Sequence, residues 1–101
     1  YFDFARLTKE KKILVNEMAP RVHNSGHWTQ TGCIISQFEQ HIRAITGTPI
    51  GDGRRHSNVL MKNILGNQIS DINYENGKSI NIYGKDKVKN NRKMGHVNII
   101  K

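Results

Sequence analysis

Positions 15–29 read VNEMAPRVHNSGHWT, which sets a carboxylate (Glu17), a guanidinium (Arg21) and two imidazoles (His23, His27) in one short stretch. Groups of these types can hold a hard cation, grip a planar anion in bidentate fashion and move a proton. Pro20 and Gly26 mark the stretch as loop. A loop fixed between regular elements is where binding and catalytic side chains concentrate, because the flanking scaffold holds them still. A second concentration lies near the C-terminus, where Lys85, Lys87, Lys89, Arg92 and Lys93 crowd together. Such a run is either a solvated basic turn or a phosphate clamp.

A zinc site shared by His23 and His27 is disfavoured. At i,i+4 the two rings share a face only on a helix, and Asn24-Ser25-Gly26 opposes one. No third ligand stands nearby in sequence, and zinc takes three or four protein ligands. Cys33 is the one cysteine, so no intrachain disulfide and no cysteine zinc site can form, in keeping with a reducing cytoplasm. His41 stands alone on a helix pattern and is given no role.

The elements that must position these residues can be read in order. Residues 1–17 form a β-hairpin: Tyr1, Phe2 and Phe4 favour strand, Lys9-Glu10-Lys11 is a polar turn, and 13–15 is the return strand. A turn centred on Glu10 sets Leu7 against Ile13 and Ala5 against Val15, an apolar pairing on one face. A one-residue slip would set Phe4 against Glu17 and lose that pattern. The preferred register puts Asp3 directly opposite Glu17. Like charges so placed repel, and a divalent cation between them would reverse the sign.

After the central loop, Ser36 and Glu39 have capping-box spacing. Phe38, Ile42 and Ile45 then recur at helical intervals, with Glu39 and Arg43 paired at i,i+4. Gly47 suits a left-handed C-cap, and Pro49 stops the helix. Residues 49–56 read as a linker. Strands are expected at 59–65, at 79–83 behind an Asn76-Gly77 turn, and at 96–100, where Val97 and Ile99 alternate. The fold class is α+β with a β-rich C-terminal half.

The run NEMAPRVHNSGHWT with SQFEQHIRA, and the later YGK with NRKMGH, resemble the ATP-grasp enzyme 5-(carboxyamino)imidazole ribonucleotide synthase. The resemblance implies the C-terminal piece of an ATP-grasp domain over residues 1–48 and a small β-rich C-terminal domain over 49–101. It implies an ATP-dependent carbon–nitrogen ligase that carboxylates 5-aminoimidazole ribonucleotide with bicarbonate through carboxyphosphate, in purine biosynthesis. In that family the Asn-Glu pair, here Asn16 and Glu17, lies at the ATP phosphates, and the Glu holds Mg²⁺. The second metal carboxylate falls to Asp3 through the hairpin register, although a gap-free comparison would put Ala5 there. Arg21 and His23 match the Arg-x-His step that faces bicarbonate, carboxyphosphate and the aminoimidazole. Lys85 and Arg92 match the pair that holds the ribonucleotide 5′-phosphate. The family pattern also implies a homodimer, and a nucleotide-fold domain, lid and adenine-binding residues beyond this sequence. Without those this chain is expected to be inactive by itself.

Bulk properties leave a competing reading. With 101 residues and 36% apolar composition the core is modest. No apolar run approaches the roughly 20 residues of a membrane span, and no signal-peptide pattern opens the sequence. The net charge of +8 calls for an anionic partner. Nucleotide and sugar phosphate satisfy it, and so would RNA or another polyanion bound by a small basic protein. Against RNA, the aromatics apart from Tyr83 do not interleave with the lysines as stacking platforms would.

Overall fold

A computed structural model describes residues 2–3, 6–7, 9–10 and 12–101, with side chains from Lys9 onward apart from Lys11. The hairpin register is the expected one. Strand β1 (Phe2–Asp3) pairs antiparallel with β4 (Glu17–Met18), and β2 (Arg6–Leu7) with β3 (Ile13–Leu14). Leu7 meets Ile13, and Asp3 meets Glu17. The Ala5–Val15 pairing and the strand positions of Tyr1 and Phe4 lie outside the described residues.

Two short helical pieces follow that periodicity does not announce. Asn24–Gly26 is a single 3-10 turn, and α1 (Thr29–Gly32) is one α-helical turn. The longer helix α2 (Gln37–Ile45) carries the Ser36 half of the expected capping box, while the Glu39 carboxylate turns to Arg43. Ser36 Oγ accepts from the Glu39 N–H at 3.3 Å, and Arg43 pairs with Glu39 at 2.7 Å. At its C-terminus Gly47 has φ +71°, and the Thr48 N–H reaches the Arg43 carbonyl at 2.9 Å. This is the left-handed cap that glycine alone adopts without strain.

Residues 49–56 are not a free linker. The Ile34 N–H donates to the Arg54 carbonyl at 3.0 Å and the His56 N–H to the Gly32 carbonyl at 2.8 Å. The segment is laid back along the end of α1 and leads into a three-stranded antiparallel sheet. That sheet comprises β5 (Val59–Leu65), β6 (Lys78–Ile82) and β7 (Lys93–Ile100) in the order β5-β7-β6. β6 starts one residue earlier than expected and β7 three residues earlier. Gly77 turns the chain into β6 at φ +82°.

β7 is the centre of the sheet, and its two faces differ from the expectation raised by Val97 and Ile99. Side chains alternate along a strand. Met94, His96 and Asn98 are fully buried, whereas Val97 and Ile99 are only half-buried and line a cavity of about 260 Å³. The more buried face is thus the one carrying two polar residues. The reason is hydrogen bonding, because this face packs against the loop of residues 23–31, which accepts from the Asn98 amide nitrogen and reaches His96 through Gln30.

Candidate active site

The polar face of β7 explains how the central loop is held. Asn98 Nδ2 donates to the His27 carbonyl at 3.1 Å and to Thr31 Oγ1 at 3.2 Å. Its Oδ1 is buried with no hydrogen-bond partner among the described residues. From β5, Asn63 Oδ1 accepts from Asn24 Nδ2 at 2.8 Å. His96 Nε2 lies 3.2 Å from Gln30 Oε1, and Tyr83 Oη lies 2.7 Å from His96 Nδ1. The Asn81 amide nitrogen also lies 3.2 Å from Nε2, so both ring nitrogens have partners and the tautomer decides which of Gln30 and Asn81 Nε2 bonds.

Aromatic contacts seal the same junction. The His27 ring stacks on Phe38 with centroids 5.2 Å apart and lies 4.8 Å from the His96 ring, with Tyr83 edge-on at 6.2 Å. Burial, and then proximity to His23 and Lys93, hold the His27 pKa below the ordinary histidine value. Burial, and secondarily His27, bring His96 down to about 4. Burial pushes the Tyr83 phenol up. Two neutral rings can stack closely where two imidazolium ions would repel.

On its outer side the loop turns His23 toward the hairpin. His23 Nε2 bonds directly to Glu17 Oε1. His23 Nδ1 accepts from the Ser25 N–H at 3.3 Å and lies 2.8 Å from Ser25 Oγ. A nitrogen that accepts a backbone N–H is unprotonated, so the neutral ring carries its proton on Nε2, toward Glu17. The structure therefore joins two of the residues singled out from sequence, Glu17 and His23. It also sets Asp3 opposite Glu17 in register. Asn16, in the short link between β3 and β4, is exposed.

Arg21 is exposed and donates to the Val22 carbonyl at 2.9 Å. It lines a groove with Pro20, Val22, Gln37, Gln40 and His41. Lys85 and Arg92 flank the connection between β6 and β7. Lys85 Nζ donates to the Lys93 carbonyl at 2.6 Å, and an Arg92 Nη donates to the Lys87 carbonyl at 2.8 Å. Each bond uses one donor of a group that has three or five, so both cations keep capacity for an anion while shaping the loop. Lys85 also sits 5.7 Å over the Tyr83 ring.

Among the described residues no group of three or more His, Cys, Asp or Glu could hold a metal by itself. Of the two histidines weighed for zinc, His23 turns Nε2 to Glu17 and His27 turns Nδ1 to Gln37 Nε2 at 2.9 Å. The oxygen donors Glu17 and Asp3 do suit Mg²⁺, which takes one or two carboxylates and completes its shell with water and substrate phosphates. Sequence reasoning missed Gln37, Asn63, His96 and Asn98. For His96 and Asn98 the available signal was a polar residue at alternate positions of β7.

Two family models match the chain: the ATP-grasp domain over residues 3–38, and the phosphoribosylaminoimidazole carboxylase C-terminal domain over residues 59–101. The N5-carboxyaminoimidazole ribonucleotide synthase of Brucella melitensis is 49% identical over 96 residues, which is 92% of this chain and 26% of that protein. The chain thus spans about a quarter of the length of the curated relatives it matches. A crystal structure of carboxyaminoimidazole ribonucleotide synthase from Aspergillus clavatus with ATP superposes with a TM-score of 0.83 at 34% identity, over 94% of this chain and 28% of that one. A structure of the enzyme from the same organism with ADP and 5-aminoimidazole ribonucleotide gives 0.79 at 34% identity, with the same coverage.

Proposed function

Because the chain belongs to the N5-carboxyaminoimidazole ribonucleotide synthase family of ATP-grasp enzymes, we propose that it supplies the catalytic loop and ribonucleotide-phosphate clamp of such a ligase. The reaction joins bicarbonate to the exocyclic amine of 5-aminoimidazole ribonucleotide at the expense of ATP, by way of carboxyphosphate. One observation carries the reading. The 23–31 segment holds His23 against Glu17 on one side and is hydrogen-bonded on the other to the sheet that bears Lys85 and Arg92.

Asn16 and Glu17 are assigned to the ATP phosphates. Glu17 and Asp3 would hold Mg²⁺, which supplies neutralisation of the charge on the phosphate oxygens. Arg21, free to swing from its exposed position, offers a planar fork to bicarbonate or carboxyphosphate. His23, with its proton on Nε2 and Glu17 beside it, is assigned to hydrogen-bond at this end of the site or to relay a proton from the attacking amine toward Glu17. Lys85 and Arg92 bind the 5′-phosphate at the far end of the ribonucleotide, so binding energy there orients the reacting amine. The rest of the synthase, in the same chain or a separate one, is the expected partner, in a homodimer.

The test compares four single alanine variants in the complete protein. Lys85→Ala or Arg92→Ala should each weaken ribonucleotide binding by roughly 1.5–3 kcal/mol, the worth of a charge-assisted hydrogen bond. ATP affinity should change little. Lys87→Ala and Lys89→Ala should matter far less, since they add only screened attraction. A polyanion-binding surface would behave otherwise, with similar losses for all four and a salt slope reduced by about one unit each. Equal losses with RNA bound more tightly than the ribonucleotide would overturn the ligase reading.

A further inference from the structure

His23 stands on a short turn, and a turn alone does not hold an imidazole in one place. Its backbone, however, is gripped from the side by the first residue of α2. Gln37 Oε1 accepts the His23 N–H at 2.9 Å, and Gln37 Nε2 donates to the His23 carbonyl at 2.7 Å. The same Nε2 lies 2.9 Å from His27 Nδ1. One side-chain amide thus pairs with both backbone groups of His23, as an adjacent β-strand would, and fixes the ring of His27 as well.

The orientation of that amide is determined by its partners. A backbone N–H can only donate and a carbonyl can only accept, so exchanging Oε1 and Nε2 would put donor against donor and acceptor against acceptor. The grip also leaves His27 Nδ1 as the acceptor, consistent with a neutral ring stacked on Phe38 and tilted against His96. Gln37 is itself anchored, because its N–H donates to Thr29 Oγ1 at 3.0 Å and Thr29 Oγ1 donates to the Gly26 carbonyl at 2.6 Å. Shortening the side chain by a methylene would break the reach, and a carboxylate would face the His23 carbonyl with like partial charge.

We propose that Gln37 is a positioning residue for the carboxylation, clamping the His23 backbone and the His27 ring so that His23 meets Glu17 in a single orientation and tautomer. The proposal rests on the role assigned to His23 above. Gln37 acts through His23 and touches no reacting atom.

The experiment uses the complete synthase with three variants and nitrogen-15 NMR of its histidines. Gln37→Ala should lower kcat about 10- to 100-fold, the scale of a misplaced catalytic group. The KM for ATP should stay within about twofold, because ground-state nucleotide binding is untouched. The wild-type His23 nitrogens should report Nε2–H with Nδ1 unprotonated, and Gln37→Ala should give a tautomer mixture. Gln37→Glu keeps an acceptor for the His23 N–H but can reach His27 only if Nδ1 is protonated, so the titration of His27 should move up. The other groups facing His27, namely His23, Lys93, His96 and Tyr83, are unchanged by that substitution. His23→Ala serves as the reference. If it is impaired while Gln37→Ala keeps wild-type kcat and unaltered His23 nitrogens, the clamp is wrong and the catalytic reading stands. If His23→Ala itself keeps wild-type kcat, the catalytic reading fails and the clamp's role fails with it.

Discussion

Acidification should loosen this chain through His96, and the size of the effect follows from its surroundings. His96 is 2% exposed and titrates at about 4 in the folded chain, against about 6.5 for an unperturbed histidine. The unfolded chain therefore takes up a proton before the folded one does. Stability from this group is complete above roughly pH 6.5, falls as pH drops toward 4, and levels off below that. Each unit between the two values is worth about 1.36 kcal/mol. Going from about pH 7.5 to 4.5 should then cost about 2–3 kcal/mol from His96 alone. His27, also lowered by burial, adds in the same direction. Glu75, held below the usual carboxylate range by Lys78, loses its contribution only at lower pH, so the windows separate. Urea unfolding followed through Trp28, beside His27 in the sequence, measures the slope. His96→Asn should lower stability at neutral pH and remove most of the dependence between pH 7 and 5. A flat wild-type profile in that range, or a His96 ring that titrates near its unperturbed value by NMR, would refute the reasoning.

Two further outcomes are expected. Glu17→Gln keeps the side-chain volume and a hydrogen bond to His23 but removes the charge, so on the proposed Mg²⁺ role phosphate release from ATP in the complete protein should vanish while circular dichroism is unchanged; wild-type turnover would overturn that role. Gly95→Ala should be strongly destabilising, because a Cβ there would lie 2.3 Å from the Asn81 backbone oxygen of the neighbouring strand. Overpacking of this kind costs about 1–3 kcal/mol or more, and thermal denaturation would register it.

The parts of the fold legible in the sequence are those governed by local rules. The hairpin register followed from which slip keeps Leu7 opposite Ile13, and it brought Asp3 to Glu17 without any tertiary information. The cap at Ser36 and the left-handed Gly47 are likewise written into adjacent residues. What escaped were interactions across long separations. Asn98 bonds to Thr31 and His96 to Gln30, pairs far apart in the chain. Alternation of Val97 and Ile99 shows that a strand is present but not which face is covered. That depends on what the loop offers in hydrogen bonds. Gln37 carries no local signal as the first residue of α2, because the backbone it meets lies fourteen positions earlier.

The chemistry of the junction bears on how the two matched segments act together. An apolar junction would be more forgiving, since hydrophobic contact is non-directional and tolerates sliding. Here the loop meets the sheet through Asn24–Asn63, Gln30–His96 and His27–Asn98. Directional bonds fail when displaced, and for the two buried partners, His96 and Asn98, a lost bond leaves an unsatisfied group worth about 1–3 kcal/mol. The arrangement therefore favours one relative placement of His23 and the Lys85–Arg92 loop over nearby alternatives. Under the proposed ligase reading this matters, because the reacting amine and the anchored phosphate would lie at opposite ends of one ribonucleotide. Asn98 makes its two donor contacts to the loop through one end of its amide, and Oδ1 at the other end has no hydrogen-bond partner among the described residues.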